Sequence, residues 1–402
     1  MSLVDLSPLL RLALLGLVLA LAPLAWLWVR HRGADASKRL RALTLLTLFL
    51  TFDLILVGAY TRLSDSGLGC PDWPGCYGAA SPLGARDHIA AAQSALPSGP
   101  VTHRKAWVEM LHRYFGMGLG VLMIVMTALA WLEHGCSVAA RDPAAKAGRM
   151  SAGPSPWWAT ATLLAVCVQG AFGALTVTMR LYPAIVTLHL LLGLGLLALL
   201  AAQAEAFAPK PLGLSRRMRA ALGLLALLAV LQIALGGWVS TNYAVLACRD
   251  FPQCQGSWWP PMDFEHAFTI RRELGQTAHG GFLPFAALTA IHMVHRLGAL
   301  LLLTALGLVA WQLHKQAATR RFALGLLAIA FAQLASGVSN VVLGWPLAAA
   351  LAHTAGAALL VWLLATLLTR AWLGRRVDRA ATLPREAGDA ARATPHAAEV
   401  MR

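Results

Sequence analysis

The sequence predicts an all-α integral membrane protein made of two pseudo-symmetric, parallel four-helix transmembrane bundles and one extra N-terminal helix. Three observations lead to this fold class. Of the 402 residues, 58% are hydrophobic and only 13% are charged. The apolar residues form nine stretches of the roughly 20 residues that a helix needs to cross a hydrocarbon core about 30 Å thick. A short cysteine motif also occurs twice along the chain, at 70–78 and at 248–256.

The nine apolar stretches are interpreted as helices because this composition excludes a soluble protein and the sequence lacks the alternating pattern of a transmembrane barrel. They lie at 9–29, 40–61, 106–132, 157–179, 183–207, 218–240, 288–313, 321–343 and 347–372. The first stretch has a signal peptide as its alternative, but its length and the cations that follow it favour a retained helix. The tail at 374–402 lacks apolar periodicity and is predicted to be disordered in the cytoplasm.

The net charge of +15 fits a membrane topology better than nucleic-acid binding. If successive loops alternate between two sides, 22 of the 33 Lys and Arg residues fall on one side and 8 on the other. The positive-inside rule assigns the basic side to the cytoplasm. We therefore expect a multi-pass protein of a bacterial-type inner membrane, surrounded by lipid, with its N-terminus outside and its C-terminus in the cytoplasm. The long loops at 62–105 and 241–287 then lie on the outer face.

The repeated cysteine motif belongs to an internal duplication. Its two copies read CPDWPGCYG and CRDFPQCQG. Residues 58–78 align with 236–256 without gaps, and residues 169–189 align with 333–353. Each half has four predicted helices, an even number, so both halves enter the membrane from the same side as parallel repeats. The predicted division is an extra helix at 1–36, an N-terminal half at 37–210, a C-terminal half at 211–373 and the tail at 374–402.

The four cysteines of the repeated motif are predicted to form two local disulfide bonds, because their loops face an oxidising compartment. The pairs are Cys70 with Cys76, and Cys248 with Cys254. Free thiols or a metal site are the alternatives, since two cysteines separated by five residues are not diagnostic by themselves. The spacing leaves open whether the pairs are structural or redox-active.

Four histidines lie well inside predicted spans, where ionisable side chains are rare and usually functional. They are His112, His189, His295 and His353, two in each half. Each lies roughly 9–10 Å below the outer boundary of its helix, at 1.5 Å per residue. Facing imidazoles inside a four-helix bundle can ligate the iron of a planar macrocycle. A hydrogen bond to a neighbouring helix is the alternative, and zinc is less favoured because no second pair of ligands lies at that depth.

Charged side chains beside the histidines differ between the halves. Glu109 precedes His112 by one helical turn, whereas His292 stands in the corresponding place before His295. A carboxylate there could transfer protons or polarise an oxidant, so Glu109 is a candidate catalytic residue. Its alternative is a solvated acid that is favoured at a helix start. Three arginines near the outer surface could pair with the propionates of a haem, or anchor the helices at the interface: Arg62, Arg113 and Arg296.

The sequence resembles the haem A synthase family over about 40–372, in motifs of matching order and spacing. These motifs are GAYTRLSDSGLGCPDWPGCYG at 58–78, EMLHRYFG at 109–116, GGWVSTNYAVLACRDFPQCQG at 236–256, WWPPMDF at 258–264, HMVHRLGALL at 292–301 and LAHTAGAALL at 351–360. The extra first helix and the tail lie outside the resemblance. The family's extracytoplasmic disulfides would correspond to the two cysteine pairs.

The resemblance implies an oxidoreductase that converts haem O to haem A for cytochrome oxidase. The methyl group at position 8 would become a formyl group by successive hydroxylations, with water as the expected oxygen source. By motif, Glu109, His112 and His189 would serve the substrate haem, and His295 and His353 would ligate a haem b cofactor. The implied partners are haem O synthase, cytochrome oxidase assembly factors and an electron acceptor that the sequence does not identify. Nucleic acid is not among them, and a homo-oligomer is an open prediction.

Two other functions use the same four histidines. A two-haem b-type protein of quinol-linked electron transfer would keep both haems as permanent cofactors, and the presence of Glu109 in one half only counts against it. A non-enzymatic haem carrier would release its haem chemically unchanged. The pigment formed in cells that supply haem O distinguishes both from the synthase.

Overall fold

The computed structural model describes residues 7–139 and 154–382, and within these residues the chain forms eleven α-helices and no strand. They are α1 (Ser7–Arg30), α2 (Ala36–Leu63), α3 (Arg86–Ala95), α4 (His103–Ala139), α5 (Trp157–Thr178), α6 (Pro183–Phe207), α7 (Arg216–Thr241), α8 (Phe264–Ala267), α9 (Phe285–His314), α10 (Arg320–Val342) and α11 (Leu347–Thr382). In this part of the chain nine helices, all but α3 and α8, are long and apolar enough to span a membrane. The predicted class of an all-α multi-pass membrane protein is confirmed.

The main difference from the predicted helix boundaries is at the C-terminal end. Helix α11 continues to Thr382, so residues 374–382 of the predicted disordered tail are helical. This segment is rich in Ala and Arg, which favour helix, and Pro384 disfavours helix in the residue before it. The rest of the tail lies outside the described residues, as do three residues of the predicted basic side, Arg141, Lys146 and Arg149.

Local sequence explains where the helices that open each half begin. At the start of α2, the Asp35 side chain accepts a hydrogen bond of 2.8 Å from the backbone N–H of Lys38. At the start of α7, Ser215 accepts one of 3.2 Å from Met218. Both side chains are N-caps that satisfy otherwise unpaired backbone donors. Pro183 at the first position of α6 has the backbone angle that a helix start requires.

The eight spanning helices after α1 form two bundles. In the first bundle α2 packs on α4, α4 on α5, α5 on α6, and α6 on α2. In the second bundle α7, α9, α10 and α11 pack in the same cyclic order. The bundles meet where α6 contacts α7 and α11, and where α2 contacts α11. Each bundle has its own buried apolar cluster, and the symmetry operation that relates the two bundles stays a prediction.

Helix α1 lies outside both bundles and packs along α4. A Cβ atom added to Gly16 would lie 2.8 Å from Cβ of Met117, so only glycine allows the two helices to approach this closely. Leu12 and Ala20, one turn to either side of Gly16, are buried. The close packing makes α1 an integral part of the fold.

The two long loops lie on one face of the molecule, which we call the Cys-loop face. Arg62 at the end of α2 donates a 2.5 Å hydrogen bond to the backbone oxygen of Ser240 near the end of α7. Tyr243 accepts a second hydrogen bond from Arg62 at 3.1 Å and donates to Asp65 at 2.5 Å. The loop ends of the two halves are therefore joined directly.

Both predicted disulfide bonds are present in the loops, Cys70–Cys76 and Cys248–Cys254. Three short helical segments were not predicted: α3, α8 and a 3₁₀ turn at Ala244–Ala247. These segments are too short to appear in the sequence as apolar stretches of membrane-spanning length. Of these, α3 is held in place by Ile89, which is fully buried under the first loop.

The two bundles are also joined at the opposite end of the molecule. Arg370 of α11 makes a bidentate ion pair with Glu205 of α6, with both nitrogen–oxygen distances at 2.7 Å. The fork of the guanidinium matches the two carboxylate oxygens, which makes this a strong and directional contact. Helices α6 and α11 are thus fixed to each other near the basic loops.

Candidate functional site

The four intramembrane histidines come together as one pair inside each bundle. His295 of α9 and His353 of α11 have ring centres 6.5 Å apart, with their planes inclined by 75°. His112 of α4 and His189 of α6 both lie inside the first bundle, where His112 packs against Gly58 of α2 and His189 against Gly173 of α5. The structure therefore brings together the two histidines that the sequence assigned to each half.

The C-terminal pair fits a single haem iron. Two imidazoles bound to one metal at about 2 Å place their ring centres roughly 6 Å apart. The observed separation of 6.5 Å between His295 and His353 is close to this value. Among the described residues, no three His, Cys, Asp or Glu side chains converge as ligands for an isolated metal ion. Two imidazoles with no further ligands suit an iron whose other ligands come from a macrocycle.

Each of the four imidazoles lies against a glycine of a neighbouring helix. A Cβ atom added to these glycines would lie 3.0–3.3 Å from the nearest ring atom, closer than most real Cβ contacts. A larger residue would thus displace the ring. The pairs are Gly58–His112, Gly173–His189, Gly236–His295 and Gly337–His353. The glycines coincide in the duplication alignment, a signal that could have identified them, but only the structure shows that they contact the histidines.

Both imidazoles of the C-terminal pair have a side-chain partner at Nδ1. Ser336 Oγ lies 3.0 Å from Nδ1 of His353, and its own hydrogen is donated to the backbone oxygen of Ala332 at 2.7 Å. Gln232 Nε2 lies 3.0 Å from Nδ1 of His295 and 3.0 Å from the backbone oxygen of the same residue. Neither partner is evident from the sequence, because each lies on a different helix from its histidine.

The N-terminal pair has a different set of contacts. Gln169 Nε2 donates to the backbone oxygen of His189 at 3.0 Å and lies 3.4 Å from Nε2 of the ring. Nδ1 of His189 is buried and has no hydrogen-bond partner among the described residues. The two bundles therefore differ in how they hold their imidazoles.

Glu109 lies one helical turn before His112 on α4 and is buried, with only 3% of its surface exposed. One carboxylate oxygen forms an ion pair with Arg113, and the other accepts a 2.8 Å hydrogen bond from the backbone N–H of Cys70. This burial excludes the alternative of a solvated acid at a helix start. In the second bundle the counterpart His292 is also buried, and its Nδ1 lies 3.1 Å from the backbone oxygen of Ala244.

The three arginines considered for propionates all have acceptors within the protein. Arg113 donates to three backbone carbonyls of the first Cys loop at 2.6–3.2 Å. Arg296 donates to three carbonyls of the second Cys loop at 2.8–3.3 Å. Arg62 joins the loop ends described above. Each arginine next to a histidine thus fastens a disulfide loop to the helix that carries that histidine, and a propionate contact stays a prediction.

A surface cavity of about 310 Å³ lies beside the second Cys loop, where Leu246, Asp250, Gln255 and Phe285 contribute to its lining. None of the four paired histidines lines this cavity. The imidazole pairs can ligate the metal of a macrocycle, whereas the cavity is lined by apolar and polar side chains without a histidine. We therefore place the candidate site at the histidines.

The chain is similar to known proteins over most of its length. The COX15-CtaA family of cytochrome oxidase assembly proteins matches residues 41–365. The Heme A synthase of Shewanella oneidensis is 37% identical over 332 residues, which cover 81% of this chain and 95% of that protein. The chain belongs to the haem A synthase family. The matched span contains all four paired histidines, Glu109 and both disulfide loops.

More distant members of the haem A synthase family match over similar lengths. The Heme A synthase of Maricaulis maris is 26% identical over 366 residues, covering 86% of this chain and 99% of that protein. The protein of the same name from Methylobacterium radiotolerans is 29% identical over 349 residues, covering 80% and 87%. The likeness therefore spans both bundles, not one motif.

Proposed function

We propose that this chain is a haem A synthase, which oxidises the methyl group at position 8 of haem O to a formyl group and so supplies haem A for cytochrome oxidase. The observation that carries the proposal is the imidazole pair inside each bundle of a chain that is 37% identical to the Heme A synthase of Shewanella oneidensis. A protein with two such pairs can hold one haem as substrate and another as cofactor.

The two bundles are proposed to bind different haems. The N-terminal bundle takes haem O, with His112 and His189 as the iron ligands, and the C-terminal bundle keeps a haem b between His295 and His353. The acid beside the first pair supports this division, because Glu109 has a histidine as its counterpart in the second bundle. When bound, the haem b would supply one-electron redox chemistry between the substrate site and an electron acceptor outside this chain.

Glu109 is proposed to accept protons during the reaction. Each hydroxylation with water as the oxygen source releases two protons and two electrons, so a base is needed near the reacting methyl group. Arg113 and the N–H of Cys70 hold the two oxygens of this carboxylate in a fixed orientation. The burial of Glu109 also keeps bulk water away from the group that handles the protons.

The Cys-loop face is proposed to be the outer face of the inner membrane, with α1 entering from outside and α11 ending in the cytoplasm. Two features support this orientation. The disulfides lie in the loops of this face, and disulfides persist in oxidising compartments. The described basic clusters that follow α1, α6 and α9 lie at the opposite helix ends.

The deciding experiment is the pigment made in cells that synthesise haem O but have no other source of haem A. Expression of the chain is expected to yield a formyl haem, identified by the mass and spectrum of the extracted pigment, which cells with an empty vector lack. Both the electron-transfer protein and the haem carrier would leave haem O unchanged. Unmodified haem O in the presence of folded, membrane-inserted protein would contradict the proposal.

A further inference from the structure

The strongest difference between the two imidazole pairs is the environment of their Nδ1 atoms. In the C-terminal bundle, Nδ1 of His353 lies 3.0 Å from Ser336 Oγ, and Nδ1 of His295 lies 3.0 Å from the Gln232 amide. In the N-terminal bundle, Nδ1 of His189 is buried and has no side-chain hydrogen-bond partner among the described residues. His112 makes no side-chain hydrogen bond in the part of the chain that the structure describes.

This difference arises from two substitutions between the repeats. Ser336 aligns with Phe172, and both residues directly precede the glycine that contacts the histidine of the next helix, Gly337 or Gly173. A hydroxyl in one half is therefore replaced by a hydrocarbon ring in the other.

Gln232 aligns with Leu54 in the same way. Each stands one helical turn before the glycine that contacts its histidine, Gly236 in the second bundle and Gly58 in the first. The contacts of these glycines fix the register of the comparison. Both changes from the C-terminal to the N-terminal half remove a polar group that can pair with Nδ1.

An acceptor at Nδ1 matters because an imidazole that binds a metal through Nε2 carries its proton on Nδ1. An acceptor for that proton fixes the tautomer and the ring orientation, and it makes the imidazole a stronger ligand. Ser336 is suited to this role, since its hydrogen is donated to Ala332 and its lone pairs remain for His353. The amide nitrogen of Gln232 lies 3.0 Å from both Nδ1 and the backbone oxygen of His295, and so holds the orientation of that ring.

We propose that Ser336 and Gln232 are positioning residues that retain the haem of the C-terminal bundle, while Phe172 and Leu54 keep the N-terminal site exchangeable. The inference rests on the proposed function, in which one haem stays as cofactor and the other must enter as substrate and leave as product. An imidazole without an Nδ1 acceptor is a weaker ligand and is freer to rotate. The duplication would thus have produced a retaining site and an exchanging site from one ancestral bundle.

The test measures how fast haem leaves the full-length protein. Protein purified from cells that make haem b but no haem O is mixed with excess apomyoglobin, and haem transfer is followed by its spectrum. Ser336→Ala and Gln232→Leu are each expected to speed haem transfer from the C-terminal site about 10-fold or more. Mutation of a residue that hydrogen-bonds to a metal ligand typically lowers metal affinity roughly 10–100-fold. His353→Ala identifies which spectral component belongs to that site.

The midpoint potential of the C-terminal haem provides a second readout. Loss of the Nδ1 acceptor in Ser336→Ala weakens electron donation to ferric iron, so this variant is expected to raise the potential. Ser336→Thr keeps a hydroxyl and should restore both the potential and the slow transfer. Phe172→Ser, the reverse change in the other bundle, should slow the faster phase of haem transfer.

Ser339→Ala is the matched control. Ser339 lies one turn further along α10 and, among the described residues, donates only to its own helix, to the oxygen of Ala335 at 2.8 Å. If Ser336→Ala and Gln232→Leu release haem at the rate of this control and Ser336→Ala keeps its potential, the inference is wrong. Haem A formation is assayed separately, so a chain that makes no haem A but shows the difference in retention contradicts only the proposed function.

Discussion

Glu109 has structural contacts in addition to the catalytic role proposed for it. Its carboxylate is paired with Arg113 and bonded to the N–H of Cys70, so it connects helix α4 to the first disulfide loop. A buried ion pair contributes little net stability, but removal of one partner leaves the other charge uncompensated. A change at Glu109 must therefore separate loss of the charge from loss of the loop contact.

Glu109→Gln makes that separation. The amide oxygen can still accept from Cys70, but the base is lost, and a positioned general base is worth about 100-fold or more in rate. Haem A formation, measured by chromatography of extracted pigment, is expected to fall at least that far while haem b content is unchanged. Glu133→Gln, near the other end of α4, is the control. Normal haem A formation by Glu109→Gln would show that this carboxylate has no part in the mechanism. His353→Ala, in contrast, should lose the b-type spectrum.

At the scale of elements, each Cys loop forms a unit with the helix that follows it. The Asp two residues after the first cysteine organises the loop: Asp72 accepts from the backbone N–H groups of Tyr77 and Gly78 at 2.6 and 2.7 Å. Asp250 accepts equivalent bonds, and the one from the N–H of Gly256 is the main reason that its pKa is lowered. The repeated sequence motif is thus a repeated loop structure, fastened to its histidine helix by arginine.

Helix α1 gives the prediction that belongs to this scale. Gly16→Leu would place a side chain where Met117 already lies, and such overpacking costs about 1–3 kcal/mol. The melting temperature of the detergent-purified protein is expected to fall by several degrees. Gly223→Leu serves as control, because a Cβ there meets no atom within 4 Å. Equal melting temperatures for the two variants would show that α1 is not tightly packed on α4.

The whole molecule is held together at both ends of its bundle interface. On the Cys-loop face Arg62 of the first half reaches Ser240 and Tyr243 of the second, and at the opposite end Arg370 pairs with Glu205. Arg62 and Ser240 stand at corresponding positions of the duplication but carry different side chains, whereas Arg370 and Glu205 do not correspond. The two bundles are therefore fixed to each other on the Cys-loop face and at the opposite end.

The proposed orientation is a prediction about the whole molecule. A single cysteine introduced by Ser98→Cys on the Cys-loop face, with Cys136 and Cys167 changed to Ala, should react with a membrane-impermeant maleimide in intact spheroplasts. Gln316→Cys, between α9 and α10, should react only after lysis. Both positions are exposed to the reagent in the fold. The reverse pattern of labelling would place the disulfide loops in the cytoplasm and overturn the orientation.

The sequence by itself determined the features that depend on composition, period and repetition. Nine apolar stretches gave nine spanning helices among the described residues, and the duplicated motif gave two disulfides. Four histidines at one depth gave the pairing that places the rings of His295 and His353 6.5 Å apart. These features are readable because each follows from residues close in the chain, or from the alignment of one half with the other.

Only the tertiary structure decided which side chains the site residues contact. Arg113 and Arg296 looked like partners for propionates, yet they bind loop carbonyls that lie about forty residues earlier in the chain. Glu109 reaches the N–H of Cys70, and Gln232 reaches Nδ1 of His295 across a separation of 63 residues. Such contacts depend on how neighbouring helices rotate and approach. Helical periodicity defines the faces of each helix, but packing alone determines which faces meet.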